Sequence, residues 1–227
     1  MKINHQEEFY QKSIITLKNI NEKLQSLPIL NINYLNRSKS ALIIVDMVNG
    51  FAREGALSSP RITAIIPEIV KIQQICKHAN IPSIAFADAH DKDSPEFDIY
   101  PAHCKVGTYE SEIVQEVKNE GPYLLIEKSS TNAFHENKFK EWLSQNHTIE
   151  NFIIIGDCTD ICIEQFALSL KTWFNYQNRR INVYVPLNAV ETYDYELHNG
   201  DLMNIISIYN LLNNGIKIVK SISDSHE

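Results

Sequence analysis

The sequence has no run of lysine and arginine, no long apolar run and no zinc-finger spacing of cysteines. Its formal net charge of −7 disfavours binding to nucleic acid or to an anionic membrane surface. No apolar stretch approaches the roughly 20 residues of a membrane-spanning helix. The first residues, MKINHQEEFYQKS, lack the apolar segment of a secretory signal. We therefore expect a soluble cytoplasmic protein with no nucleic-acid or membrane partner.

The chain has few cysteines: Cys76, Cys104, Cys158 and Cys162. In an intracellular chain of 227 residues we expect free thiols rather than a disulfide framework. Cys158 and Cys162 lie four positions apart. A redox or metal role for this pair is disfavoured, because Cys158 falls in a predicted turn.

Hydrophobic residues make up 44% of the chain, which is enough for the core of one large domain. Apolar residues recur at intervals of three or four between residues 1 and 27, and this spacing predicts a helix. Pro28 ends the pattern, and residues 28–39 are predicted to be an extended linker. We therefore predict an N-terminal helical arm and linker over residues 1–39 and a main domain over residues 40–227. The arm is expected to pack on the domain or on a partner subunit.

Short apolar runs alternate with helical patterns in the main domain. The runs at 41–45 and 81–87 are typical of strands buried on both faces. Further strands are predicted at 123–126, 153–155, 181–185 and 216–222, and helices at 61–79, 110–118, 135–145 and 198–213. Pro67 is expected near the start of the first of these helices. The β–α alternation predicts a three-layer α/β/α fold with a mainly parallel sheet of five or six strands.

Chemically active residues follow four of the predicted strands. Asp46 follows the first, Asp88 and His90 the second, Lys128 the third, and Cys162 the fourth after a short turn. Ligands of open α/β sheets bind outside the carboxyl ends of the strands, so we expect these side chains to converge. Each has an ordinary explanation alone, as a cap, a solvated loop residue or a core thiol. Their joint placement favours a site.

The segment 153–170 predicts a strand, a tight turn and a helix with Cys162 at its start, where the helix dipole favours a thiolate. Asp46 could accept the thiol proton, and Lys128 could hold that carboxylate and favour the thiolate. The backbone N–H groups of the turn, at Cys158 and Cys162, are candidates for an oxyanion hole. These roles predict acyl transfer through a thioester.

A second group of residues has the composition of a metal site. Asp88 and His90 are two apart after a strand, which places both side chains on one side of an extended backbone. His103 could complete a site for a divalent ion such as zinc, manganese or iron. Glu96, in the loop between them, is a candidate fourth ligand. The alternative is that both histidines are ordinary loop residues.

Four blocks, VDMVNGF, DAH…PAHCKVGT, EKSSTNAF and GDCTDICIEQFALSL, resemble in this order the isochorismatase-like cysteine hydrolase family. The resemblance covers about residues 41–219, and the nicotinamidases are the nearest branch. It implies a six-stranded parallel sheet and a catalytic triad of Asp46, Lys128 and Cys162. It also implies a cis peptide between Asp157 and Cys158.

The same resemblance implies a metal bound by Asp88, His90 and His103. It implies hydrolysis of a small-molecule amide, with nicotinamide as the first candidate, and assembly into a homo-oligomer. Members of the family differ in substrate. The alternative substrate is therefore another small amide, a carbamoyl compound or a vinyl ether. A second alternative is that the chain is a catalytically silent binding or assembly protein.

The first two blocks depart from the nicotinamidase pattern. Val48 and Gly50 stand where nicotinamidases usually have Gln and Asp, and Ala89 stands where they have Trp. These departures bear on the substrate more than on catalysis. Phe51 and Phe134 are candidate walls for a flat ring, and core packing is an equal interpretation for either.

Overall fold

The structure is a computed structural model that describes residues 5–225. Within this range, no helix has the length and apolar character needed to cross a membrane. The helices are α1 (Gln6–Gln25), α2 (Asn49–Ala52), α3 (Pro60–His78), α4 (Gln115–Glu120), α5 (Asn137–Gln145), α6 (Glu164–Tyr176) and α7 (Gly200–Asn213). The strands are β1 (Leu30–Asn31), β2 (Ser40–Val45), β3 (Ser83–Asp88), β4 (Leu124–Lys128), β5 (Asn151–Asp157), β6 (Asn182–Pro186), β7 (Val190–Glu191), β8 (Lys217–Val219) and β9 (Ile222–Ser223).

The central sheet confirms the predicted α/β fold. Its strand order is β4-β3-β2-β5-β6-β8, and each neighbouring pair is parallel. The sheet has seven strands within the described residues, one more than predicted, because β7 also pairs with β5. β6 pairs with the first half of β5 and β7 with its last two residues, so the two strands follow one another along the same neighbour.

The central strands are buried on both faces, as their continuous apolar runs predict. Every residue of β2 and β5 is buried. Alternate side chains of β2 enter different cores: Ile43 and Val45 pack under α5, α6 and α7, whereas Leu42 and Ile44 pack under α3 and α4. This rigid double layer fixes the positions of the strand ends, where the candidate site lies.

The structure corrects the predicted start of the first crossover helix. α3 begins at Pro60, and the Ser59 side chain caps it by accepting a hydrogen bond from the N–H of Arg61 at 3.3 Å. Pro67 lies inside the helix. Pro60 lies in the first turn, where the fixed φ of proline already suits a helix. The helix continues through Pro67 because its apolar face is buried in the core.

The linker and the last predicted strand also differ from the prediction. Residues 28–39 contain β1 and two short 3-10 turns rather than only extended chain. The predicted strand at 216–222 is divided into β8, which pairs with β6, and β9, which pairs with β1. Leu24 and Ile32 are buried, one in each core, so the N-terminal segment packs on the rest of the chain. Its division from the main domain stays a prediction.

Gly156 permits the close approach of β5 to β2 just before the turn that carries Cys162. Its φ is +122°, and a Cβ there would lie 1.9 Å from the carbonyl oxygen of Val45. We expect Gly156→Ala to lower the free energy of unfolding by about 3 kcal/mol or more, because strain and overlap with backbone add together. Urea unfolding measures this change.

Gly107 provides the matched control for that substitution. Its φ is +74°, but nothing lies within 4 Å of the position of a Cβ. We expect Gly107→Ala to cost only the conformational strain of about 1–2 kcal/mol. Equal losses for the two variants would contradict the steric explanation.

Candidate active site

Lys128 lies at the centre of the group of side chains at the carboxyl edge of the sheet. Its Nζ lies 2.6 Å from Asp88 Oδ1, 2.9 Å from Asp46 Oδ2 and 3.8 Å from Cys162 Sγ. These residues come from the neighbouring strands β4, β3, β2 and the turn after β5, and the strand order therefore brings them together. Sequence reasoning expected this convergence.

The Lys128 ammonium group is fully buried, and two carboxylates lie beside it. Burial opposes its charged form, but Asp46 and Asp88 outweigh this effect and raise the pKa of Lys128 well above its usual range. For Asp88, burial again opposes ionisation, but Lys128, His103 and His90 hold the pKa of Asp88 below its usual range. Both groups are therefore charged at neutral pH, as a buried ion pair requires.

Asp46 has an unusual backbone and a basic carboxylate. Its φ of 53° lies in the left-handed region, which residues other than glycine rarely adopt and which often marks a functional constraint. Burial raises the pKa of Asp46 to about 6, although Lys128 acts in the opposite direction. The carboxylate is thus ionised at pH 7 and is a stronger base than an exposed aspartate, which suits a group that accepts a proton.

The resting state of Cys162 differs from the sequence expectation. The expected thiolate is disfavoured, because burial raises the pKa of Cys162 well above its usual value. Lys128 lowers this pKa, but Asp46 and Asp88 raise it further. Cys162 therefore rests as a thiol, and its proton must leave as it attacks a substrate.

Cys162 lies within a π-helical turn, Thr159–Ile163, which leads into α6. The peptide between Asp157 and Cys158 is cis, as the family resemblance implied. The Cys158 carbonyl oxygen accepts the N–H groups of Ile161 at 3.2 Å and Ile163 at 3.1 Å. Cys158 and Cys162 both line the adjacent cavity. Their use as an oxyanion hole stays a prediction.

Asp88, His90 and His103 form a compact buried group whose potential ligand atoms all lie within 4.8 Å of one another. Asp88 Oδ2 lies 2.9 Å from His90 Nε2 and 3.1 Å from His103 Nε2. The carbonyl oxygen of Pro101 lies 2.7 Å from His103 Nδ1, which leaves Nε2 to face the carboxylate. This is how metal-binding histidines are commonly oriented. The donor set fits zinc, manganese or iron.

Glu96 lies at the margin of this group. Its Oε2 is 3.7 Å from His90 Nε2, while its Oε1 accepts the N–H of Thr131 at 2.9 Å. The side chain thus links the loop after β3 to the loop after β4. Its role as a fourth metal ligand stays a prediction.

A cavity of about 460 Å³, including its opening to solvent, lies beside these groups and is within the size range of ligand pockets. It is lined by Phe51, Leu57, Asp88, Glu96, Tyr100, His103, Thr131, Cys158, Ile161, Cys162 and Tyr193.

The two phenylalanines proposed as ring walls have different positions. Phe51 lines the cavity, and its ring centre lies 5.7 Å from that of His103. Phe134 does not line it. Phe134 packs edge-on against Phe139 and Trp173 in the core, with ring centres 6.1 and 5.8 Å away. For Phe134 the core interpretation is therefore correct, because residues 133–135 turn the ring towards α5 and α6.

Sequence reasoning missed Leu57, Tyr100, Thr131, Ile161 and Tyr193, which complete the cavity wall. Most of them lie in loops without a regular pattern. Tyr193 follows β7 at the carboxyl edge of the sheet, but β7 has only two residues and is too short to recognise in the sequence.

A thiol, a carboxylate and an ammonium group buried together at the carboxyl edge of a parallel α/β/α sheet are typical of hydrolases with a cysteine nucleophile. The sequence model of the family described as Isochorismatase domain matches residues 40–212. The chain therefore belongs to the isochorismatase family, and it is a hydrolase.

Individual relatives agree with this assignment. The chain is 30% identical over 222 residues to Nicotinamidase 1 of Arabidopsis thaliana, with 83% of this chain and 89% of that protein covered. Its fold is similar to N-carbamoylsarcosine amidase from Thermoplasma acidophilum (TM-score 0.66, 25% identity, 83% and 99% covered). It is also similar to a pyrazinamidase of Pyrococcus horikoshii in complex with zinc (TM-score 0.66, 23% identity, 80% and 99% covered).

Proposed function

We propose that the chain is a nicotinamidase, which hydrolyses nicotinamide to nicotinate and ammonia through a thioester on Cys162. The observation that carries this proposal is the convergence of Asp46, Lys128 and Cys162 beside the buried Asp-His-His group. The cavity there has aromatic walls, at Phe51 among others, that suit a flat ring. The similarity to Nicotinamidase 1 supports the choice of substrate.

The proposed reaction has two stages. In the first, Cys162 Sγ attacks the amide carbon while its proton passes to Asp46, and the N–H groups of Cys158 and Cys162 stabilise the oxyanion. The C–N bond breaks as Asp46 returns the proton to the leaving nitrogen, and ammonia departs. In the second stage, water attacks the thioester carbon and gives a proton to Asp46. The C–S bond then breaks, that proton restores the thiol, and nicotinic acid leaves and ionises to nicotinate by giving its proton to solvent. Lys128 stays protonated and fixes Asp46 throughout.

We propose that Asp88, His90 and His103 hold a divalent ion of zinc, manganese or iron. When bound, such an ion would supply a Lewis acid able to accept the ring nitrogen of the substrate. The pyrazinamidase solved with zinc supports this proposal. The chain's own contribution is to orient the His103 imidazole through Pro101 and to keep Asp88 ionised through Lys128.

Removal of one imidazole is expected to impair both metal binding and turnover. We expect His103→Ala to bind metal at least about tenfold more weakly, because outer-shell changes alone cost 10–100-fold. Metal content by mass spectrometry and metal-dependent thermal stabilisation measure the loss independently of activity. His147→Ala, at an exposed position after α5, is the control and should behave as wild type. Equal metal content in the two variants would contradict the assignment.

Ammonia release from nicotinamide by the purified protein, with zinc, manganese or iron supplied, tests the proposed function. Turnover supports it. Failure with nicotinamide, together with ammonia release from another small amide or a carbamoyl compound, would reject the substrate and retain the chemistry. The similarity to N-carbamoylsarcosine amidase favours a carbamoyl compound as the second candidate. Cleavage of a vinyl ether without ammonia would indicate a third substrate class.

We further propose that the protein acts as a cytoplasmic homo-oligomer and contributes nicotinate to NAD salvage. The family resemblance supports the oligomer. The exposed apolar residues of α1, including Phe9 and Ile14, offer a surface for subunit contact. Sedimentation of the purified chain at several concentrations measures its oligomeric state, and a monomer at every concentration would reject the oligomer.

A further inference from the structure

A loop at residues 192–199, named here the Tyr193 loop, separates two cavities. It connects β7 to α7. Tyr193, together with Leu57 and Tyr100, lines both the catalytic cavity and a larger outer cavity of about 1240 Å³, including its opening to solvent. Ile99 and Tyr195, which are largely exposed, belong only to the outer cavity. The Tyr193 ring therefore stands between the catalytic cavity and additional space large enough for a second ring.

The Tyr193 ring is held by His198, which in turn binds the turn that carries Cys162. It stacks on the His198 imidazole with ring centres 4.0 Å apart and an angle of 5° between the planes. His198 Nδ1 lies 2.9 Å from the Tyr193 carbonyl oxygen, and His198 Nε2 lies 2.8 Å from Asp160 Oδ2. The other oxygen of Asp160 accepts the Thr192 hydroxyl at 2.6 Å. Asp160 thus uses both carboxylate oxygens to bind the loop, and it lies two residues before Cys162.

A second anchor holds the opposite side of the loop. The Arg61 guanidinium donates to the Thr192 carbonyl oxygen at 3.1 Å and pairs with Glu191, Asp194 and Asp201 at 2.7–3.2 Å. Arg61 and Asp194 both border the outer cavity, and they are paired with each other. With those charges engaged, and with Ile99 and Tyr195 as walls, the outer cavity suits an uncharged, apolar group.

We propose that Tyr193, held by the Asp160–His198 pair, is a specificity-determining wall that closes the catalytic cavity and restricts the enzyme to small planar amides. Without the Tyr193 ring, an amide with an uncharged aromatic extension reaches into the outer cavity. This inference rests on the proposed amidase function and adds to it the size limit of the substrate and the residues that impose it.

The test compares kcat/KM for nicotinamide and for a ring-extended probe, 5-phenylnicotinamide, whose phenyl group does not flank the ring nitrogen, by ammonia release. We expect Tyr193→Ala to raise the ratio of probe to nicotinamide by about tenfold or more, the range over which pocket contacts discriminate between substrates. His198→Ala should shift the ratio in the same direction by less, because the ring remains but loses its support. Tyr193→Phe keeps the ring, so the ratio of kcat/KM for the probe to kcat/KM for nicotinamide should stay the same even if both values change.

Leu197→Ala is the control within the same loop. Leu197 is 94% exposed, so we expect no change in either kcat/KM value. Thermal melting of each variant separates a specificity change from unfolding. An unchanged ratio in folded Tyr193→Ala and His198→Ala variants would overturn the proposal.

A failed proposed function gives a different result. If the wild type releases ammonia from neither amide, the proposed function is rejected. The wall is then tested by calorimetric binding of both amides to the Cys162→Ala variant, with and without Tyr193→Ala. A shift of the dissociation-constant ratio towards the probe supports the wall. An unchanged ratio, or binding of neither amide, overturns it.

Discussion

Cys162→Ala is expected to abolish turnover of the amide substrate while the protein remains folded. Loss of a nucleophile that acts as one unit with its base typically lowers kcat by about 10⁴-fold or more. Cys158 cannot replace it: the carboxyl beside its Sγ is that of Asp157, at 3.8 Å, and burial raises the pKa of Asp157 well above its usual value, so this group does not accept a thiol proton at neutral pH. Ammonia release measures the loss.

The same variant should differ little from wild type in stability. The change removes one sulfur atom from a side chain that is only 7% exposed, a small core truncation of about 1 kcal/mol. Cys76→Ala, a similar truncation in the core under α3, is the control and should keep full activity. Acid quenching during turnover, followed by mass spectrometry, should detect an acyl group on Cys162 in the wild type and none in Cys162→Ala. Turnover by Cys162→Ala at more than about one hundredth of the wild-type rate would reject Cys162 as the nucleophile.

The convergence of Asp46, Asp88, Lys128 and Cys162 could be predicted because each follows a strand that the sequence marks clearly. A buried parallel strand is a continuous apolar run, and the parallel topology places all the carboxyl ends at one edge. Asp88 and His90 could be placed on one side because they are two positions apart on an extended backbone. In these cases local pattern and general topology suffice.

Other features depend on contacts between distant parts of the chain. Asp160 and His198 are 38 positions apart, and nothing local in the sequence indicates that they meet. The protonation of Cys162 depends on the balance of burial, one ammonium group and two carboxylates, which residue identities alone do not give. The sequence alone could not assign Phe134 to the pocket or to the core, because both environments favour an aromatic ring.

Asp46→Asn is expected to reduce turnover nearly as much as loss of the thiol, by about 10³–10⁴-fold. Asparagine has almost the same shape and keeps the buried volume, but it cannot accept the proton of Cys162. Since burial raises the pKa of Asp46 to about 6, the wild-type kcat/KM should fall as the pH is lowered through this value, where the base becomes protonated. Residual activity of Asp46→Asn should lack this limb of the pH profile.

The stability of Asp46→Asn distinguishes a lost base from a misfolded protein. Folding raises the pKa of Asp46, so the folded protein binds a proton on this group more readily than the unfolded chain does. At pH values above the pKa of Asp46 in the unfolded chain, the ionised carboxylate therefore lowers the stability of the folded protein, and this holds at pH 7. A neutral asparagine should therefore leave the unfolding free energy at pH 7 equal or higher. Asp93→Asn, whose carboxylate is 84% exposed in the loop after β3, should change neither rate nor stability. Wild-type rates in Asp46→Asn would show that another group takes the proton, and a large loss of stability would show that Asp46 mainly supports Lys128.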